Sequence, residues 1–440
     1  MSSVDFSNTI WNLPKLTHCQ LNTSSNFPIP KVISSSLEYF SITCQCWGLK
    51  QVIDLLQYTT HLQYLHVPLN NLNNKRHQKL LSVPSITILK LSDVHSLHGM
   101  VAILQSVPNL THLKVNTYYI DCDGNRWEEL IDNYVPKLQV FSLRMLIELP
   151  GNKNNERRLE KLLGTFRTRF WLEKHKWFIY CHQMSYEKYK SIFLYTVPYG
   201  FTDLHANMLT NPPQTTCPQD HYHNLYHRVK TFSITYSSSI NHYSFIQFSH
   251  IRKLSIDLCF DKSFWKNVPI FYQLTFITIL STDDDAHFHL QYLLDRAPYL
   301  YSLTFQSWPS SQVPTVNSTS TSVRRLDLRM NDREHNYSFL NTEACDIFIR
   351  SPLAMHCEEL LIKIANYESI IDLINGINSL RILQIQYKFG SPSFSDYKQY
   401  EKEYEMLIKW LQDHLPVTCS ISKSSYNYNN LMLWICLKKP

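Results

Sequence analysis

The chain of 440 residues is 44% apolar and 18% charged, carries a net charge of +6 and contains only 8 Gly. That composition can bury a large core and excludes a wholly disordered chain. With so few Gly, and with neither G-x-G-x-x-G nor G-x-x-x-x-G-K present, the phosphate loops of nucleotide-binding enzymes are excluded too.

In chain order, the first elements come from one recurring pattern. An apolar residue is followed by two others, an apolar, one other and an apolar. It reads Leu62-x-x-Leu65-x-Val67, Ile86-x-x-Leu89-x-Leu91, Leu110-x-x-Leu113-x-Val115 and Leu138-x-x-Phe141-x-Leu143, with first residues 24, 24 and 28 apart. Leu37-x-x-Phe40-x-Ile42 and a degenerate Leu13-x-x-Leu16 precede them. The last two apolar residues lie two apart and so share one side of a strand. Residues 48–58 and 97–107 between these strands place apolar residues at helical spacing. Val83-Pro84, Val107-Pro108, Val135-Pro136 and, later, Ala297-Pro298 each stand two residues before a strand unit, where proline stops the helix and favours extended chain. A period of this length is the leucine-rich-repeat signature, in which each coil buries its apolar face only against its neighbours.

From residue 143 to 229 the pattern lapses. Glu156–Phe166 reads as an amphipathic helix, and 176–182 and 191–198 read as two strands within an aromatic, basic stretch. The beat returns at Val229, Ile251, Leu274, Leu300, Val323, Cys357 and Leu380, with helices at 286–296 and 367–376 between copies. A charged helix over 398–415 and a hairpin of 417–422 with 431–437 close the chain like a cap, whereas the amino end reads as uncapped. The expected fold is therefore α/β: a leucine-rich-repeat solenoid, or horseshoe, with an inner parallel sheet and outer helices, interrupted by the inserted segment. The expected divisions are 1–150 (first repeat block), 151–228 (insertion), 229–396 (second block) and 397–440 (cap).

Several side-chain groups invite a chemical reading. Cys217-x3-His221-x-His223-x3-His227 and Asp283–Asp285 with His287 and His289 hold possible metal ligands, but the first lacks the paired clusters of zinc sites and the second precedes a helix, where acids suit the dipole. Asp121-x-Asp123-x-Asn125 starts like a calcium loop, with Arg126 where Gly is needed. Cys181 and His182 are adjacent on a strand and point to opposite sides, so they cannot pair as nucleophile and base. No catalytic motif, metal site or cofactor is expected, and the chain is read as a binder rather than an enzyme.

The expected working surface is the concave sheet face. Its candidate protein-contacting residues are Tyr64, His66, Lys90, His112, Lys114, Arg144, Lys253, Asp257, Arg325, Asp327, Arg329 and Gln384. Met1 to Ile10 lacks the apolar stretch of a signal peptide, and no apolar run reaches the about 18 residues of a membrane span. The expected location is the cytoplasm, with the nucleus as the alternative, and no membrane is expected among the partners.

The units Leu-Gln-Tyr-Leu-His-Val and Leu-Thr-His-Leu-Lys-Val, among helices ending in Val-Pro, resemble the irregular leucine-rich-repeat proteins of the F-box class. The insertion, with Leu162–Glu173, Lys176-Trp177-Phe178 and Leu194–Tyr199, is similar to a segment of an F-box-like family from invertebrates. The resemblance implies a substrate-recognition role in a ubiquitin-ligase adaptor. Docking on a cullin-type ligase would then use an amino-terminal F-box, of which this chain shows only the Leu13-Pro14 pair. The alternatives are a stand-alone repeat scaffold or inhibitor and, behind it, an RNA-binding solenoid using residues 156–199, whose basic residues could accompany stacking aromatics.

Overall fold

The computed structural model describes residues 8–23, 28–29, 32–44, 47–70, 82–149, 155–186, 189–209, 213–218, 225–235, 248, 250–260, 264, 268–282, 285–308, 317–330, 339–388, 397–415, 419–424 and 430–437.

One hydrogen-bonding device recurs at the start of most of the parallel strands. The first apolar residue of a unit closes a tight turn: Ile86 N–H donates to Val83 O, Leu110 to Val107, Leu138 to Val135 and Leu300 to Ala297. Pro84, Pro108, Pro136 and Pro298 therefore occupy the second position of these turns, where a fixed φ near −65° is favourable. Proline thus shapes the turn that aims the next apolar residue inward, besides ending the helix. Next, a single carbonyl accepts two successive N–H groups of the following unit. Thr87 and Ile88 both donate to Gln63 O, Thr111 and His112 to Thr87 O, and Gln139 and Val140 to Thr111 O. The second half repeats this with Arg252 and Lys253 on Lys230 O, and with Tyr301 and Ser302 on Thr275 O. This shared acceptor fixes the register of each strand on the one before it.

The chain is an α/β protein that divides into two compact units. One comprises Met1–Phe201 with Met208–Arg228, the other Thr202–Asn207 with Val229–Pro440. In the first, parallel strands β1 (His18–Asn22), β2 (Tyr39–Thr43), β3 (Tyr64–Pro68), β4 (Ile88–Val94), β5 (His112–Tyr118) and β6 (Val140–Leu149) lie side by side. The inserted segment then forms an antiparallel hairpin, β7 (Phe178–Tyr186) and β8 (Tyr189–Val197), and β8 pairs antiparallel with β6. The following chain gives one short strand to each unit, β9 (Asp203–His205) to the second and β10 (Gln214–Thr215) to the first. The first sheet is thus mixed and nine-stranded, in the order β1-β2-β3-β4-β5-β6-β8-β7-β10.

The second unit continues with β11 (Thr231–Ile234), β12 (Lys253–Ile256), β13 (Phe276–Ile279), β14 (Ser302–Phe305), β15 (Arg325–Asp327), β16 (Glu359–Ile364) and β17 (Ile382–Lys388), which run parallel with β9. The closing hairpin, β18 (Cys419–Ser424) and β19 (Asn430–Leu437), adds antiparallel to β17.

Register turns the sequence pattern into stacked rows. In the first unit Phe40, Leu65, Leu89, Leu113 and Phe141 stand opposite one another, all buried, and Val67, Leu91, Val115 and Leu143 form a second row. In the second, Phe232, Leu254, Ile277, Leu303, Leu326, Leu360 and Leu383 align in the same way. Each fully buried Leu or Ile contributes roughly 1.5–3 kcal/mol by leaving water.

Helix Leu49–Tyr58 turns Leu49, Val52, Ile53, Leu55 and Leu56 into the same core as the first unit's strands. Helices Leu97–Ser106 and Gly124–Tyr134 begin at Ser96 and Asp123, whose side chains accept from Gly99 N and Arg126 N. The Asp121–Asn125 stretch, which resembles the start of a calcium loop but reads in the sequence as a turn and a helix start, is that capped helix start. In the second unit helices Ala286–Asp295, Thr342–Ile349 and Ser369–Gly376 lie between strands, and Tyr397–His414 precedes the closing hairpin.

At the amino end a short element that the sequence did not suggest packs on the core, while β1 is the outermost strand of its sheet. Residues 8–11 form a helical turn, and Trp11, buried, meets Phe40 edge-on at 5.6 Å between centroids. A short helix beginning on polar Asn8 leaves no apolar periodicity to detect. Among the described residues no helix is long and apolar enough to cross a membrane.

Candidate functional site: two open sheet faces

Because strand side chains alternate, each inward apolar row leaves outward rows on the other side. On the first sheet one such row reads His18, Tyr39, Tyr64, Ile88, His112, Val140, and the next reads Gln20, Ser41, His66, Lys90, Lys114, Ser142. Neither row contains Asp or Glu. Six of the predicted contact residues, Tyr64, His66, Lys90, His112, Lys114 and Arg144, come together on this face.

The first row begins as a stack of rings. Tyr39 and Tyr64 lie 4.2 Å apart and nearly parallel, and His18 stacks on Tyr39 at 5.3 Å. Burial, together with the Tyr39 hydroxyl, pushes the Tyr64 phenol up to about 12. Further along, Ile88 and Val140 are 37% and 41% exposed, leaving apolar surface on the open side.

In the second row His66 is buried, with Nδ1 2.9 Å from Ser41 Oγ. Burial, reinforced by Lys90 and Lys114, lowers its pKa to about 3, so the ring is neutral at physiological pH. Lys114 Nζ donates to the Gly200 carbonyl oxygen at 2.6 Å. Arg144 donates from Nε to Asn116 Oδ1 (3.0 Å) and from Nη1 to Tyr199 Oη (3.1 Å). The Phe201 ring lies against both cations, with Lys114 Nζ and Arg144 Cζ each 4.4 Å from its centroid. A methyl at Gly200 would overlap the Ser142 side chain, so only Gly lets this strap approach the sheet so closely.

The remaining predicted residues lie in the second unit. Lys253 is exposed, with Nζ 5.1 Å from the centroid of Phe276 on the next strand. Arg325 pairs with Glu359 at 3.3 Å, and Glu359 also accepts from Tyr301 Oη at 2.8 Å. Asp327 is held within its own turn by Arg329, through Nε at 2.9 Å and Nη2 at 2.7 Å. Asp257 and Gln384 are buried, and Asp257 accepts from Ser281 Oγ at 2.6 Å. Lys253 and Arg325 share one outward row, Asp327 and Gln384 the next, while Asp257 and Arg329 fall beyond the strand ends.

Tyr39, the Tyr199–Phe201 strap and Glu359 were missed by the sequence reading. Tyr39 occupies the same pattern position as Tyr64 and was detectable by alignment of the units. Tyr199 stands out in the sequence only as one of the aromatics of the insertion, and Gly200 and Phe201 follow no repeat and give no signal.

The aromatic insertion packs on itself. Phe170, Trp171, Tyr180, Phe193, Tyr195 and Tyr199 are buried, and His182 Nε2, Tyr195 Oη and Tyr226 Oη form a chain with steps of 3.0 and 2.7 Å. Rings so placed offer no face to a base. Cys181 is buried beside this group, and His182 is engaged by Tyr195. Of the suggested metal ligands, His221, His223, Asp283 and Asp284 lie outside the described residues, and buried His289 has Nδ1 2.7 Å from Leu258 O. Among the described residues no group of three or more His, Cys, Asp or Glu side chains is placed to hold a metal ion. No protein-family model matches this chain, and no curated protein matches it.

Proposed function

We propose that the chain is a protein-binding leucine-rich-repeat solenoid, whose parallel strands form the inner layer and whose helices form the outer layer of successive coils. The observation that carries this reading is the outward face of the first sheet. Polar, cationic and aromatic side chains stand there in register over six adjacent strands. Such a surface is long and shallow, and suits a macromolecule better than a small substrate. No catalytic pairing supports an enzyme. By resemblance, the role is the substrate-recognition part of an F-box ubiquitin-ligase adaptor, with ligase recruitment supplied by an F-box outside these repeats.

The test is affinity capture with the full-length chain, followed by mass spectrometry. Three variants are compared: Lys90→Glu on the first face, Lys253→Glu on the second, and Gln105→Arg on an exposed helix position as control. A protein retained by the control and lost from one face variant supports the reading; partners lost only from the control overturn it. Cullin-ligase subunits among the captured proteins support the adaptor role, and a face-dependent partner without them leaves a stand-alone binder.

A further inference from the structure

The first sheet's outward face has a chemical polarity that defines its occupant more closely. Lys90, Lys114 and Arg144 stand on three adjacent strands, β4, β5 and β6. Adjacent strands lie about 4.8 Å apart, so the three cations span roughly 10 Å across the strands. Lys90 and Lys114 share an outward row that holds no Asp or Glu, and Arg144 stands in the next row, opposite Asn116. Beside the cations runs the apolar margin of Ile88 and Val140, both with exposed side chains. The cations are also held in place: the Phe201 ring lies against Lys114 and Arg144, and Gly200 O anchors the Lys114 ammonium. A preorganised cation loses less side-chain entropy when an anion arrives.

We propose that this face binds an acidic, extended peptide segment of a partner protein, laid across the strands, with its carboxylates on Lys90, Lys114 and Arg144 and its apolar side chains on Ile88 and Val140. This rests on the protein-binding reading given above and names the chemistry of the partner. Charge complementarity selects the acidic side chains, and the apolar margin selects a peptide whose charges alternate with hydrophobic residues. Nucleic acid also carries negative charge, but the geometry disfavours it. The rings of His18, Tyr39 and Tyr64 stack on one another, so their inner faces are occupied and not open to bases.

The experiment measures fluorescence anisotropy with the full-length protein and three labelled probes. These are a peptide alternating Glu and Tyr, the same peptide with Gln in place of Glu, and single-stranded oligouridine. The acidic peptide is expected to bind, to weaken as salt rises, and to lose about tenfold or more in affinity in Lys90→Glu. The Gln peptide is expected to bind at least about tenfold more weakly than the Glu peptide. Circular dichroism and the unfolding midpoint of Lys90→Glu verify that the half-exposed substitution leaves the fold intact. Absence of acidic-peptide binding, equal binding of the Gln peptide, unchanged affinity in the folded variant, or tighter binding of oligouridine overturns the proposal. The two readings fail separately: a captured partner that depends on Lys253 and not on Lys90 keeps the protein-binding role and overturns this proposal, whereas partners lost only from the Gln105→Arg control overturn the wider reading.

Discussion

Lys114 and Phe201 face one another across the open side of the first sheet, the ammonium nitrogen 4.4 Å from the ring centroid. The contact ties a repeat strand to a segment outside the pattern, in addition to the pairing of β6 with β8. Replacing Phe201 by Leu keeps apolar bulk and removes the ring quadrupole; replacing Lys114 by Met keeps the stem and removes the charge. A double-mutant cycle by urea denaturation is expected to give a coupling energy of about 0.5–2 kcal/mol. Additivity of the two changes would show that the ring is held by packing alone.

His66 gives the fold a defined acid sensitivity. Its folded pKa of about 3 lies below the ordinary value of 6.5, chiefly through burial and further through Lys90 and Lys114. As acid is added, the unfolded chain takes up the proton first. The contribution of this residue to stability is complete above pH 6.5 and is lost as pH falls toward 3, on the order of 3–5 kcal/mol in all. In His66→Gln the urea midpoint should fall less steeply between about pH 7 and 4 than in the parent protein. Parallel curves for the two proteins would contradict this.

How much of this was readable beforehand follows from what each feature needs. Apolar rows such as Leu65, Leu89 and Leu113 were legible because each coil repeats the same local requirement, and a repeat makes a weak signal visible many times over. The helices ending in Val107-Pro108 and Val135-Pro136 were legible for the same reason. The hairpin of β7 and β8 was placed approximately from its aromatic, alternating character. Its antiparallel docking on β6 was not legible, because register between distant segments depends on side chains such as Thr196, whose hydroxyl accepts from Leu143 N at 3.0 Å. Of the candidate site, the strand positions were found by alternation. Asp257 and Arg329 lie just past the ends of β12 and β15, where strand alternation no longer says which way a side chain points.

The buried chain from His182 through Tyr195 to Tyr226 tests the insertion. Tyr195 is fully buried and its hydroxyl sits between two polar partners. Tyr195→Phe leaves both partners short of a hydrogen bond in a dry site, and should cost about 1–3 kcal/mol. The Tyr195→Phe, Tyr226→Phe pair should cost less than the sum of the two single changes, because both remove the same Tyr195–Tyr226 hydrogen bond. Thermal denaturation of the three variants decides it.

Gly124 opens helix Gly124–Tyr134 against the end of helix Asn155–Thr165. Its N–H donates to Thr165 Oγ1 at 2.8 Å, and its carbonyl accepts from Trp171 Nε1 at 3.3 Å. A methyl added at Gly124 would overlap the Thr165 carbonyl group, which is backbone and cannot rotate aside. The cost of Gly124→Ala is therefore a separation of two elements, about 1–3 kcal/mol, against the roughly 1 kcal/mol that alanine ordinarily gains over glycine inside a helix. Gly164, in the same pair of helices, has open space at its Cβ position and no such neighbour. Gly164→Ala should stabilise the protein while Gly124→Ala destabilises it, so opposite shifts in melting temperature from the same chemical change are the expected result. Shifts of the same sign would mean that the two helices can move apart freely, and that Trp171 does not lock the insertion to the first repeats.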